Sequence, residues 1–199
     1  MAIPVIQEFM PDAKFIHIVR DPRDVVASIL KMRFGADDPE IAALEWHVTL
    51  GCWLLAERIV SADRRLECRY EDLCTAPQET MIRLAKFVNH SEAEAIAALA
   101  DHAAAGANQK TGFETVATVE HHMRLIEPVA ASRVGRYKTE LSPTQIQKIE
   151  AIAQYGMLAY GYQPSGWHDH PLVWENRLGL FKAMFRDIVK RVSKRLRGK

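Results

Sequence analysis

Two short apolar runs stand out from the mixed pattern of hydrophobic and polar positions. The first, KFIHIVR, covers residues 14–20, and the second, LECRY, covers residues 66–70. Nearly continuous apolar runs of this length are typical of strands in parallel sheets, which are buried on both faces. We therefore predict two strands, the first of them covered on both faces.

The residues after the first run, DPRD at 21–24, are typical of a helix start. Asp21 suits the capping position, Pro22 the first helical position and Asp24 the first turn. Four apolar residues follow at helical spacing, namely Val25, Val26, Ile29 and Leu30. The pattern predicts a strand–helix junction of the kind found in α/β folds, with the helix broken at Gly35.

Most of the remaining chain has helical patterns. The predicted helices span about residues 39–61, 92–104 and 142–161, with a further helix after Thr75. The loop between residues 105 and 122 is rich in Gly, Thr and Asn. The order of elements favours a parallel sheet covered by helices.

Each of these helices has a recognisable start. The first is capped by Asp37 or Asp38, and its apolar face is marked by Ile41, Leu44, Val48, Leu55 and Ile59. The other three begin with the capping-box spacing, at Thr75–Gln78, Ser91–Glu94 and Ser142–Gln145.

Composition narrows the class of protein. With 199 residues, of which 48% are hydrophobic, the chain can bury a core without disulfides, which excludes global disorder and a disulfide scaffold. No run approaches the ~18 apolar residues of a membrane-spanning helix, and no secretory signal is visible. The three cysteines, without a CxxC motif, predict reduced thiols and a cytoplasmic location.

The net charge of +1 conceals a basic tail. Residues 182–199 hold eight Lys or Arg and one acid, whereas the other 181 residues hold 18 basic and 24 acidic side chains. One helical stripe of the tail is apolar, formed by Phe181, Met184, Phe185, Ile188, Val192 and Leu196. We expect residues 178–199 to form an amphipathic helix. It would bind an anionic membrane surface or, alternatively, dock on protein, either the acidic body of the chain or a second subunit. No nucleic-acid partner is expected, because the body is acidic.

Arg20 is the first candidate for chemistry. It lies at the carboxyl end of the predicted strand, where open α/β sheets bind ligands, and its planar fork suits a phosphate. Ser28, two turns into the following helix, offers a hydroxyl donor. The alternative is that Arg20 pairs with Asp24 and that Ser28 faces solvent. Spacing alone leaves both open.

The longer string KFIHIVRDPRDVVAS resembles the 3′-phosphate-binding segment of sulfotransferases that use 3′-phosphoadenosine 5′-phosphosulfate (PAPS). Two later stretches resemble other segments of that family, in the same order: LECRYEDLCTAPQETMIRLAKFV and RVGRYKTELSPTQIQKIEAIAQYGMLAYGY. The resemblance covers about residues 10–162. It implies a helix-rich α/β fold with a parallel sheet in three layers, similar to the P-loop NTPases. Residues 1–165 would form the sulfotransferase domain and 166–199 a linker and tail.

The resemblance also implies a function and a set of site residues. A sulfuryl group would pass from PAPS to a hydroxyl or amine acceptor, leaving adenosine 3′,5′-bisphosphate (PAP), and no metal is needed. Arg20 and Ser28 would bind the 3′-phosphate. Arg133, Gly135 and Arg136 match the late loop that closes over the same end of the nucleotide, where a glycine allows close backbone approach.

The family's glycine-containing loop for the 5′-phosphosulfate has no counterpart in the sequence. The first glycine is Gly35, beyond the Arg20 segment, and no phosphate loop of the GxxxxGK[ST] type occurs. We therefore predict an N-terminally truncated domain and assign no catalytic base. Three explanations stay open: an incomplete version of a longer enzyme, an inactive relative that binds nucleotide or a partner, or a second chain that supplies the missing half-site.

The remaining polar residues are interpreted as structural. Glu71 and Asp72 are predicted to form a turn and helix start, and His17 to lie in the core. The pairs His121–His122 and His168–His170 lack the spacing of a zinc site, so no metal is expected. His122 is the best histidine candidate for a role near the acceptor.

Overall fold

The computed structural model describes residues 2–32, 35–108 and 130–166 of the chain. The helices are α1 (Ile3–Phe9), α2 (Pro22–Ile29), α3 (Pro39–Ala56), α4 (Tyr70–Thr75), α5 (Pro77–Phe87), α6 (Glu92–Asn108), α7 (Tyr137–Glu140) and α8 (Pro143–Ala159). The strands are β1 (Phe15–Val19) and β2 (Arg65–Arg69), and short 3₁₀ turns cover Ala62–Arg64 and Ala131–Arg133. The chain divides into two compact units, residues 1–19 with 56–134 and residues 20–55 with 135–199.

The first unit contains the sheet. β1 and β2 pair in parallel, with Phe15 opposite Arg65 and Val19 opposite Arg69. Both predicted strands and their parallel pairing are confirmed. The expectation that β1 is covered on both faces is wrong: Ile16 and Ile18 are 39% and 56% exposed, because in the described residues no element packs over them fully.

The helices of the first unit correct one predicted cap and confirm another. Thr75 is the last residue of α4, where its hydroxyl donates to the carbonyl of Glu71, so it does not cap α5. α5 begins at Pro77 instead, without a side-chain cap. The capping box at Ser91 and Glu94 is confirmed, with both hydrogen bonds formed. α6 runs to Asn108, so the predicted loop starts later than residue 105.

The second unit is built from α2, α3, α7 and α8. α2 begins as predicted, with the Asp21 side chain accepting from the backbone N–H of Arg23. It ends at Ile29, earlier than Gly35. Gly35 folds back against that end so closely that a Cβ would lie 2.4 Å from the carbonyl oxygen of Ile29. Its lack of a side chain therefore permits a close approach.

α3 differs most from its prediction. Asp38 is the cap, since its Oδ1 accepts from the N–H of Glu40 and of Ile41. The helix ends at Ala56 instead of about residue 61, because the carbonyls of Glu57 and Val60 accept from Arg65. The predicted apolar face is wrong in its second half: Val48, Leu55 and Ile59 are exposed. The buried positions of α3 are Ile41, Ala42, Ala43, Leu50, Trp53 and Ala56.

The core of this unit lies between α2, α3 and α8. Its buried members are Val26, Ala27, Ala36, Ile41, Ala42, Ala43, Leu141, Ile149 and Ile152. The capping box of Ser142 and Gln145 at the start of α8 is confirmed, and the helix ends at Ala159, two residues before Gly161. α8 therefore supplies the long apolar face against which α2 is held.

The helix-rich α/β class is confirmed, while the three-layer arrangement and the truncation stay predictions. The predicted tail helix at residues 178–199 lies outside the described residues. All three cysteines are free thiols. Among the described helices, none has the length and apolarity that crossing a membrane would require.

Candidate functional site

Arg20 stands directly after β1 and one residue before the cap of α2. Its side chain is 21% exposed, and its Nη2 lies 3.9 Å from Oδ2 of Asp24. Its backbone carbonyl accepts a hydrogen bond from the indole N–H of Trp46, at 3.1 Å. The guanidinium is therefore accessible to solvent while the backbone beneath it is fixed by α3.

Asp24, in the first turn of α2, joins two distant stretches of sequence. Its carboxylate is buried, yet it accepts from the backbone N–H of Gly135 at 2.7 Å and of Tyr137 at 2.9 Å. Gly135 and Asp24 are 111 positions apart in the chain. One carboxylate thus brings the start of α2 together with the predicted late loop.

Gly135 has a conformational reason to be glycine. Its φ is +75°, in the left-handed region that side chains disfavour. A Cβ there would meet only the Cε of Lys138, at 3.9 Å, so steric crowding is not the reason. The role predicted from the sequence, close approach to a phosphate, stays a prediction.

Arg136 follows in the same loop and is partly exposed. Its guanidinium pairs with Glu140 of α7, and the ammonium of Lys31 lies 2.7 Å from the same Glu140 oxygen. Burial would raise the pKa of Glu140, but the hydrogen bond from Lys31 and the charges of Arg136 and Lys31 together lower it. Arg136 is therefore available to a ligand only in competition with Glu140.

The positions of the other two predicted site residues, Ser28 and Arg133, say less about a ligand site. Ser28 lies one turn beyond Asp24 on α2 and is half-buried. Arg133 ends the 3₁₀ turn Ala131–Arg133 and belongs to the unit that contains the sheet. The second unit thus contains Arg20, Ser28, Gly135 and Arg136, and Arg133 belongs to the other.

Sequence reasoning missed a buried charge network beside these residues. Arg23 donates to both carboxylate oxygens of Asp21, to Glu150 at 2.7 Å and to the carbonyl of Gln163. Its guanidinium also lies over the ring of Tyr137, 4.3 Å from the centroid. Burial would lower the pKa of Arg23, but the hydrogen bonds and charges of Asp21 and Glu150 raise it overall. The available signal was Arg23, the basic residue of DPRD, which stands between two acids in the sequence.

Three of the polar residues that the sequence analysis interprets as structural lie in the described ranges, namely Glu71, Asp72 and His17. Glu71 and Asp72 lie in the first turn of α4, as predicted. His17 is partly buried, with Nδ1 3.6 Å from Glu67 on the paired strand, and burial lowers its pKa. No cluster of potential metal ligands occurs in the described ranges. The predicted positions His121, His122, His168 and His170 lie outside them.

A separate cleft of about 640 Å³ opens beside the start of α5. It is lined by Ala76, Pro77, Gln78, Glu79, Ile82 and Glu92. None of the predicted site residues borders it, so the start of α2 is the better candidate for function.

The comparison with protein-family models supports the resemblance seen in the sequence. Residues 1–94 match the sulfotransferase family. The match includes Arg20 and Ser28 as well as the second resembling stretch, whereas the late loop at 135–137 follows the matched residues. Comparisons with curated proteins and with solved structures gave no match.

Proposed function

Since residues 1–94 match the sulfotransferase family, we propose that the chain binds the 3′-phosphate end of PAPS and of its product PAP. Arg20 and Ser28 contact the 3′-phosphate, and Arg133, Gly135 and Arg136 belong to the loop that closes over it. One observation carries the proposal: the buried carboxylate of Asp24 holds the late loop beside Arg20.

The chemistry of these groups suits a phosphate. An arginine fork donates two parallel hydrogen bonds to phosphate oxygens, and a guanidinium is more weakly hydrated than an ammonium. The start of α2 adds the positive end of a helix dipole next to Arg20. Arg136 contributes positive charge once a dianion outcompetes Glu140 for it.

The transfer that we propose is the one that the resemblance to the family implies. An acceptor hydroxyl or amine forms a bond to sulfur while the bond between sulfur and the bridging oxygen of the 5′-phosphate breaks, and the acceptor proton passes to a base. The sequence offers no glycine loop before Arg20 to hold the 5′-phosphosulfate. We therefore propose that this chain is an incomplete version of the enzyme, which binds the nucleotide but needs further residues for transfer.

The second candidate is an inactive nucleotide-binding or interaction module. The exposure of Ile16 and Ile18 on β1 favours it, because an uncovered apolar strand face is a common interaction surface. The basic tail at residues 178–199 would then supply a contact with an anionic membrane or a second subunit. Retained PAP binding without any transfer to hydroxyl or amine acceptors would favour this candidate.

Thermal unfolding with and without PAP tests the proposal, with 5′-AMP as the control for the missing 3′-phosphate. A ligand at ~100 times its Kd stabilises a fold by about 2.7 kcal/mol, which is about 5 to 11 °C in Tm for a chain of this size. We expect this shift with PAP and a clearly smaller one with 5′-AMP, which binds more weakly because it lacks the 3′-phosphate.

Two variants make the test specific to the site. Arg20→Ala should abolish the PAP shift, whereas Arg58→Ala, which removes an exposed arginine from the other unit, should preserve it. A PAP shift of equal size in both variants would remove Arg20 from the site. The absence of any shift in the unsubstituted chain would contradict the proposed function.

A further inference from the structure

The carboxylate of Asp24 is almost fully buried and contacts the residues of the candidate site directly. Asp24 is 2% exposed, and its two oxygens accept from two backbone amides of one loop. One of these oxygens also lies 3.9 Å from Arg20 Nη2. Burying a carboxylate destabilises a fold unless the carboxylate is hydrogen-bonded. These contacts therefore fix the position of Asp24 and of the groups that contact it.

The contacts are divided between the two oxygens in a way that fixes the loop. Oδ2 accepts from Gly135 and Oδ1 from Tyr137, so the loop meets the carboxylate at both oxygens. The left-handed φ of Gly135 lets the backbone turn so that both amides converge on the carboxylate. The loop is thus shaped around Asp24 without any ligand.

We propose that Asp24 is a positioning residue of the nucleotide site. It holds the 135–137 loop and the guanidinium of Arg20 in the arrangement that receives the 3′-phosphate. This inference rests on the proposed function. The advantage is preorganisation: a loop that is ordered before binding loses less conformational freedom when the nucleotide arrives.

A simpler role would give the opposite result. If Asp24 were only a negative charge that competes with the phosphate for Arg20, its neutralisation would tighten PAP binding. As a positioning residue, its neutralisation must weaken binding. Asp24→Asn separates the two, because the amide keeps the size and one acceptor oxygen but presents an NH₂ group where a backbone N–H must donate.

The first experiment measures the Kd for PAP and for 5′-AMP by calorimetry. We expect Asp24→Asn to weaken PAP binding by about tenfold to a hundredfold, the usual effect of losing a charged hydrogen bond, and to leave 5′-AMP unchanged. A general loss of structure would weaken both. The control is Asp38→Asn, since Asp38 also accepts from two backbone amides, at the start of α3, without contacting the loop.

The second experiment needs no variant and therefore does not depend on whether Asp24→Asn folds. Amide hydrogen exchange of the unsubstituted chain without ligand should show protection at Gly135 and Tyr137. Both amides donate to the Asp24 carboxylate and not to a backbone carbonyl within a helix, so their protection would report on Asp24.

Each contrary result is distinct. Unprotected amides at these two positions, or PAP binding by Asp24→Asn that equals or exceeds that of the unsubstituted chain, would overturn the role of Asp24 and leave the proposed function standing. Failure of the unsubstituted chain to bind PAP would overturn the proposed function, and the positioning role with it.

Discussion

Two arginines flank the cap of α2 and differ sharply in their surroundings. Arg23 is 8% exposed and is held by Asp21, Glu150, the carbonyl of Gln163 and the ring of Tyr137. Arg20 is 21% exposed, and its Nη2 lies 3.9 Å from Oδ2 of Asp24. The same residue type, three positions apart, occupies a closed network in one case and an accessible position in the other.

The difference separates residues that hold the fold from residues that can bind a ligand. A guanidinium that already donates in three directions has few hydrogen bonds left for a phosphate, and moving it would leave buried carboxylates without their partner. The guanidinium of Arg20 is less buried than that of Arg23, so a ligand can reach it with less rearrangement of the fold. Arg23 therefore holds the start of α2 to α8, whereas Arg20 is the residue that we propose for the contact with the nucleotide.

The largest expected loss of unfolding free energy comes from breaking the buried network around Arg23. Glu150 is fully buried, and its carboxylate accepts from Arg23 as well as from the N–H and hydroxyl of Ser165. Glu150→Gln keeps the volume but removes one of the two carboxylate charges that pair with the Arg23 guanidinium. Breaking a buried ion pair costs about 3 kcal/mol or more of unfolding free energy, which urea denaturation measures.

Two variants calibrate this loss. Lys148→Ala, on the same helix, removes an exposed pair with Glu40 at 3.4 Å and should cost under about 1 kcal/mol. Arg20→Ala should resemble Lys148→Ala in stability. A loss for Arg20→Ala as large as that for Glu150→Gln would show that both arginines hold the fold.

A second, smaller loss of unfolding free energy is expected where α8 packs against Trp46, the residue that holds the Arg20 backbone. A Cβ on Gly156 would lie 2.6 Å from Cδ2 of Leu50 and 2.8 Å from Cζ3 of Trp46, the residue whose indole donates to the Arg20 carbonyl. Gly156→Ala should lower the unfolding free energy by about 1 to 3 kcal/mol, because an aromatic ring cannot yield easily. It should also weaken PAP binding, since the displaced ring moves the backbone of Arg20.

The matched control is another glycine inside a helix. Gly51 lies in α3, and a Cβ added to it would have no heavy atom of another element within 4 Å. Gly51→Ala should therefore stabilise the chain by about 0.5 to 1 kcal/mol, because alanine restricts the unfolded backbone and favours the helix. Opposite signs for the two substitutions would confirm the close helix packing beneath Arg20. Similar signs would contradict it.

The features that sequence predicted well are local. The cap at Asp21, the capping boxes at Ser91 and Ser142 and both strands depend on neighbours within a few residues, which the sequence displays directly. Thr75 shows the limit of such patterns, because its hydroxyl had a second local acceptor, the carbonyl of Glu71, and took that one.

The features that sequence missed depend on tertiary contacts. The interpretation of Asp24 as a first-turn acid was correct, but its amide partners lie more than a hundred positions away and no spacing rule reaches them. On α3, the prediction relied on large aliphatic residues, whereas the buried face includes three alanines and packs closely against Gly156 of α8 through Leu50 and Trp46. The resemblance to sulfotransferases indicated which distant segments belong together, but not the carboxylate that joins them.

The smallest effect concerns Glu140, a partly buried carboxylate whose basic partners are exposed. Glu140 pairs with Lys31 and Arg136, which are 42% and 39% exposed, so solvent screening limits its contribution to under about 1 kcal/mol. Although its burial opposes the shift, those partners hold the pKa of Glu140 below the ordinary glutamate value of 4.5. A lowered pKa means that the unfolded chain binds its proton first as the pH falls. The contribution of Glu140 to the unfolding free energy is therefore full at neutral pH and is lost as the pH falls through the folded pKa.

Glu140→Gln should therefore reduce the unfolding free energy slightly at pH 7, and the difference from the unsubstituted chain should disappear below that pKa in urea titrations across acid pH. A difference that persists unchanged into strong acid would mean that Glu140 acts through packing instead of charge, as a buried network residue would.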